Sequence, residues 1–172
     1  MRKDVLKDIV LTALFVALVA LATMAIKIPT GATQGYLNVG DAVIFAAAIW
    51  LGARTGLVAG GLGSALADVL SAYAMWAPWT LVIKGVEGLL VGLLAHRAYR
   101  ERGALSAGTV GAMLLGAAWM VVGYYVAAGF LLGFGPALAT VPENGLQGLA
   151  GVTIGVVLVR ALRAVDRALR PR

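Results

Sequence analysis

Lys84 and Glu87 stand three residues apart in the otherwise greasy stretch Leu81-Val82-Ile83-Lys84-Gly85-Val86-Glu87. On a helix that spacing puts both on one face, where an ammonium and a carboxylate either pair to join helices or contact a polar solute. Asn144 and Gln147 repeat the spacing with amides. Such amides either cap and cross-link helices or offer donor and acceptor edges to a heterocycle. Asp41 and Asp68 add two carboxylates in or beside apolar runs, and Tyr124 and Tyr125 add phenols to another. A charge at the centre of a membrane-spanning helix costs about 2.5–3.5 kcal/mol on insertion scales, so these groups mark either structural ion pairs or a site. The third cluster is aromatic: Tyr36, then Tyr73, Trp76 and Trp79 within Tyr73-Ala74-Met75-Trp76-Ala77-Pro78-Trp79. Aromatic belts are common at membrane interfaces, and the alternative is a lid over a flat ring.

Other chemistry is excluded. The chain has no Cys and a single His, His96, so thiol catalysis, disulfides and a Cys/His metal site are ruled out, and no cofactor is called for. No Gly-x4-Gly-Lys-Ser/Thr loop is present, so nucleotide is not bound in that way. Ser64, in Gly61-Leu62-Gly63-Ser64-Ala65, lacks the glycine two positions before a serine nucleophile and reads as a packing residue.

The elements that must position these groups are membrane helices. Of 172 residues, 61% are hydrophobic and 13% charged, and the mean hydropathy is +0.92. Soluble domains carry roughly 25% charged residues, so lipid must be the solvent for much of this chain. The net charge of +6 comes from Lys and Arg at helix ends, a topology signal rather than a nucleic-acid footprint. Arg2, Lys3 and Lys7 precede an apolar run longer than a signal-peptide core, so the segment is expected to be a retained first helix.

Apolar runs broken by Gly, Pro and charge predict spans at about 8–28, 40–53, 55–72, 79–97, 106–132 and 144–165, against a usual length of about 17–25 residues. The second is short and is expected to begin earlier, near Tyr36, or to be tilted or partly re-entrant. Arg54, the cluster Arg97, Arg100 and Arg102, and the C-terminal arginines from Arg160 to Arg172 alternate with loops 29–39, 72–78 and 133–143, which hold no Lys or Arg. The positive-inside rule then puts both termini in the cytoplasm. The expected fold is all-α: one integral membrane six-helix bundle over residues 1–172, N-in and C-in. All the intramembrane polar groups fall in its outer half, with Lys84 and Glu87 roughly 8 and 12 Å deep at 1.5 Å per residue. That asymmetry fits an outward pocket closed below, not a continuous pore. Small-residue stripes, Gly56/Gly60/Ser64, Gly85/Gly88/Gly92, Gly148/Gly151/Gly155 and Ala13/Ala17/Ala20, allow close helix approach in lipid.

Four stretches carry a family resemblance: Tyr36-Leu37-Asn38-Val39-Gly40-Asp41-Ala42; Ala59 through Asp68; Trp76 through Gly88; and Asn144-Gly145-Leu146-Gln147-Gly148-Leu149-Ala150-Gly151. They resemble the substrate-capture (S) subunits of energy-coupling factor (ECF) vitamin transporters, in the riboflavin-type branch that includes hydroxymethylpyrimidine and pyridoxine carriers. The resemblance implies a non-enzymatic subunit of the prokaryotic plasma membrane. It would bind a vitamin at its outer face, dock on a transmembrane coupling subunit carrying two cytoplasmic ATPases, and topple to deliver the solute. It implies binding by Asn38, Lys84, Glu87, Tyr124, Asn144 and Gln147. From the residues themselves, Tyr36, Asp41, Asp68, Tyr73, Trp76 and Trp79 are candidates for a lid or for further pocket positions. Ala13 and Ala17, extended by Ala20, match the docking stripe on the first helix. A Lys–Glu pair with two amides suits a small polar ring, hydroxymethylpyrimidine or pyridoxine, over riboflavin. The alternatives are a stand-alone small-solute carrier, a membrane enzyme using Glu87 or Asp68 as acid or base, and a structural protein whose polar residues only join helices.

Overall fold

The computed structural model describes residues 2–30, 35–102 and 105–168. Its elements run α1 (Arg2–Ala25), β1 (Ile28–Thr30), β2 (Gly35–Leu37), α2 (Gly40–Leu51), α3 (Ala53–Leu70), α4 (Ala77–Arg102), α5 (Ala107–Leu132), α6 (Phe134–Ala137) and α7 (Thr140–Ala168). Four segments, Val5–Ala25, Ala77–Glu101, Ala107–Leu132 and Phe134–Ala164, are long and apolar enough to cross a bilayer by themselves. Leu93, Leu94, Leu115, Val122 and Phe130 stand exposed on their outer surfaces, as a lipid-facing shell requires.

α2 is the hub. Its 12 residues read Gly-Asp-Ala-Val-Ile-Phe-Ala-Ala-Ala-Ile-Trp-Leu, and those from Ile44 to Ile49 are all buried. A helix hydrophobic all round must be covered on every side, and α2 packs on α1, α3, α4 and α7. It begins at Gly40, not near Tyr36, because Tyr36 belongs to an antiparallel hairpin pairing Ile28 with Leu37, Pro29 with Tyr36 and Thr30 with Gly35. This hairpin is an addition to the all-helical expectation.

The turn from α2 to α3 depends on Gly52, whose φ of +101° is costly for any residue with a Cβ. His96 of α4 packs beneath it and donates from Nδ1 to the Ile49 carbonyl at 2.9 Å. The stripes on α3 and α4 face each other. A Cβ at Gly56 would collide with the Gly88 carbonyl, and one at Gly88 with the Gly56 carbonyl, so backbone meets backbone there. The stripe on α7 lies against Phe45 and Ala42 of α2 and Ala117 of α5. α5 starts with a reciprocal capping box between Ser106 and Thr109.

Candidate functional site

Helices α1, α3 and α5 end, and α2, α4 and α7 begin, at one end of the bundle, where the hairpin also lies. A cavity of about 570 Å³, its mouth included, opens there. Its floor is ionic. Lys84 of α4 directs its ammonium to Asp41 Oδ1 at the start of α2, to Glu87 Oε2 at 3.1 Å, and to the Met120 sulfur of α5. All three charged side chains are at most 2% exposed. Asp41 Oδ2 accepts from Gln147 Nε2 of α7 at 2.8 Å. Gln147 Oε1 in turn accepts from the Asn38 backbone N–H at 3.0 Å and from Asn38 Nδ2 at 3.3 Å. Asn38 Oδ1 receives the Gly40 N–H at 2.9 Å, which fixes the entry into α2. One chain of contacts therefore ties the first loop to the buried ammonium. Such a network holds only when its members are satisfied together.

The wall combines aromatic faces and hydroxyls. The Tyr124 and Thr80 hydroxyls share a hydrogen bond of 3.0 Å, and the Tyr124 ring centroid lies 5.7 Å from the Lys84 ammonium. Trp76 meets Tyr124 edge to face with centroids 6.1 Å apart. Above them Tyr36 donates to Asp68 Oδ1 at 2.6 Å and packs on Tyr73 at 4.6 Å. Burial first, and the Asp68 bond second, push the Tyr36 phenol well above its ordinary range, so it remains a donor. Lys27 closes the rim: its ammonium donates to Ser71 Oγ at 2.8 Å and lies 5.9 Å from the Tyr36 ring centroid. This end of the bundle therefore has a cation of its own, at the edge of the cation-free loop.

Of the six residues expected to bind solute, Asn38, Lys84, Tyr124, Asn144 and Gln147 line this one cavity. Glu87 does not; it is completely buried, one turn deeper than Lys84, and supports the ammonium from below. Of the proposed lid or pocket group, Tyr36, Asp68 and Trp76 line the cavity. Asp41 lies in the floor behind Lys84, and Tyr73 backs Tyr36. Trp79 stacks on Phe130 at 5.9 Å, away from the lining. Sequence reasoning missed Thr23, Thr80, Thr140 and Glu143 in the lining and Met120 in the floor. The threonines were detectable as hydroxyls in apolar helices; nothing marked Met120. On α1, Ala13 and Ala17 are exposed, whereas Ala20 is 6% exposed and so lies outside any accessible stripe.

The comparisons with known proteins agree with this architecture. An uncharacterized protein from the gap 3′ region of Pyrococcus woesei is 44% identical over 137 residues, 80% of this chain and 88% of its own. The thiamine precursor transporter HmpT of Lactococcus lactis subsp. cremoris is 26% identical over 154 residues, 89% of this chain and 86% of its own. The crystal structure of the S-component for biotin from an ECF-type ABC transporter superposes with a TM-score of 0.70. It covers 97% of this chain and 94% of that one at 16% identity, a likeness of fold. The family described as ECF-type riboflavin transporter, S component, matches residues 3–164. With nearly the whole chain matched, this multi-pass cell-membrane protein belongs to the S components of ECF-type transporters, which are transport subunits and not enzymes.

Proposed function

We propose that the chain, acting as one six-helix unit over residues 1–172 with both termini in the cytoplasm, captures a small heterocyclic vitamin or vitamin precursor in the cavity at its outward end. Asn38, Lys84, Tyr124, Asn144 and Gln147 form the binding set, and Glu87 and Asp41 hold Lys84 in place beneath it. The observation that carries the reading is the convergence of these five lining residues from the first loop, α4, α5 and α7 on a single cavity. A ring would lie against the Tyr124 and Trp76 faces, with its polar edge towards the amides and hydroxyls.

Hydroxymethylpyrimidine or pyridoxine is favoured over riboflavin. The thiamine precursor handled by the Lactococcus relative supports that order. Delivery follows by docking on the ECF coupling subunit with its two ATPases, through exposed Ala13 and Ala17, and by toppling of the loaded bundle. The test is native mass spectrometry of protein purified from producing cells. A retained molecule with the mass of a small heterocyclic vitamin or precursor is expected, lost in Gln147→Leu. Reconstituted uptake without the coupling module would instead make the protein a stand-alone carrier.

A further inference from the structure

Asp68, near the end of α3, lines the cavity with a side chain only 4% exposed. Its two oxygens differ. Oδ1 accepts the Tyr36 hydroxyl, while Oδ2 is buried and makes no hydrogen bond of ordinary geometry, although the Thr80 hydroxyl lies near enough to interact with the carboxylate. Thr23 of α1, also in the lining and 2% exposed, has a buried hydroxyl without a hydrogen-bond partner. Buried polar oxygens left unpaired are costly, and native proteins keep them where something completes them.

The cation in the lining is differently placed. Lys84 hydrogen-bonds Asp41 and Met120, and its charge is balanced by two buried carboxylates, Asp41 and Glu87. No other Lys or Arg lines the cavity among the described residues. The cavity therefore offers open acceptors and a cation already neutralised by two carboxylates, an arrangement complementary to N–H groups or positive charge and hostile to a third carboxylate.

We infer that the solute is read through a donor-bearing nitrogen, an exocyclic amine or the protonated ring N–H of a basic heterocycle, which donates to Asp68 Oδ2 with Thr23 Oγ1 as a second contact. Vitamins whose polar head is a carboxylate are rejected. This rests on the capture role proposed above and names the group that the same cavity recognises. A site built around a hydrogen-bonding group discriminates strongly against an analogue that lacks it, because its buried partner is then left unpaired.

The test is a binding titration of the purified full-length protein in detergent. The probes are hydroxymethylpyrimidine with its exocyclic amine, the analogue with a carbonyl oxygen in place of that amine, riboflavin, and biotin as the carboxylate. The amine should bind at least about tenfold more tightly than the carbonyl analogue, and biotin not measurably. Asp68→Asn should abolish the preference. Thr23→Val, which removes the hydroxyl while keeping the shape, should weaken amine binding about threefold to tenfold without lowering the melting temperature. That variant keeps the question answerable if Asp68→Asn folds poorly. Equal binding of amine and carbonyl analogue, tight binding of biotin, or a tightest ligand indifferent to Asp68→Asn would overturn the inference and leave vitamin capture standing. Absence of binding by every probe to well-folded protein would overturn the capture role and this inference together.

Discussion

The two ends of the bundle solve opposite problems with the same helices. At the cavity end α2, α4 and α7 bring Asp41, Lys84 and Gln147 into one buried network. Towards the other end the same helices, joined by α5, meet through Phe45, Ile49, Val91, Met113 and Val159, all at most 1% exposed. The apolar half needs only shape, and its closeness comes from small residues such as Gly56 against Gly88. The polar half needs each partner present, because a charge removed from its cluster leaves another uncompensated in a low-dielectric interior. Stability of the polar end is therefore brittle, and that of the apolar end is graded.

The largest effect should come from Lys84→Ala. It strands Asp41 and Glu87, and a loss of about 3–5 kcal/mol is expected, read as a sharp drop in melting temperature in detergent together with loss of ligand. Adding Asp41→Asn and Glu87→Gln to Lys84→Met should recover most of the stability and none of the binding. A recovery of binding would show that Lys84 serves only to neutralise its neighbours. Next, Gly88→Val should cost about 1–3 kcal/mol by forcing α3 and α4 apart, with ligand affinity falling only as far as Lys84 moves.

These expectations depend on depth, which was the least legible feature of the chain. The three-residue spacing of Lys84 and Glu87 correctly put them on one face, but it could not say which would reach the cavity. One helical turn separates a lining residue from a floor residue, and Glu87 lies on the wrong side of that boundary. Asp41, expected in the lid or pocket, likewise lies just behind the lining, in the floor against Lys84. The helices themselves were legible because long apolar runs punctuated by charge have few alternatives. The hairpin was not: its strands are three residues each and one contains Pro29, so neither shows a readable alternation. Ala20 shares a helix face with Ala13 and Ala17, yet the bundle covers one end of that face and leaves the other open.

Smaller effects sharpen the contrast. Tyr36→Phe removes the donor to the buried Asp68 Oδ1 and should cost about 1–2 kcal/mol of stability, read as a lower melting temperature, together with weaker ligand binding. The wild-type phenol is raised above its ordinary value of 10.0. The stability linked to keeping it neutral is full below that value and is lost as the pH rises above it, where the unfolded chain ionises first. Tyr36→Phe should flatten that alkaline loss in a pH series of melting curves. In the apolar half, Leu93→Ala on the exposed face should alter stability by about 0.5 kcal/mol or less and leave binding unchanged. Ala13→Leu with Ala17→Leu should preserve binding in detergent but abolish uptake in cells that hold the coupling module. Retained uptake would remove α1 from the docking surface.

The most direct measurement is a structure of the protein determined with the molecule it retains from the cell. Density for a small ring is expected against Tyr124 and Trp76, with its polar edge within hydrogen-bond distance of Asn144 or Gln147. A solute bound on the lipid-facing surface, or at the Arg54 and Arg97 end, with the cavity beside Lys84 filled only by side chains, would contradict that expectation.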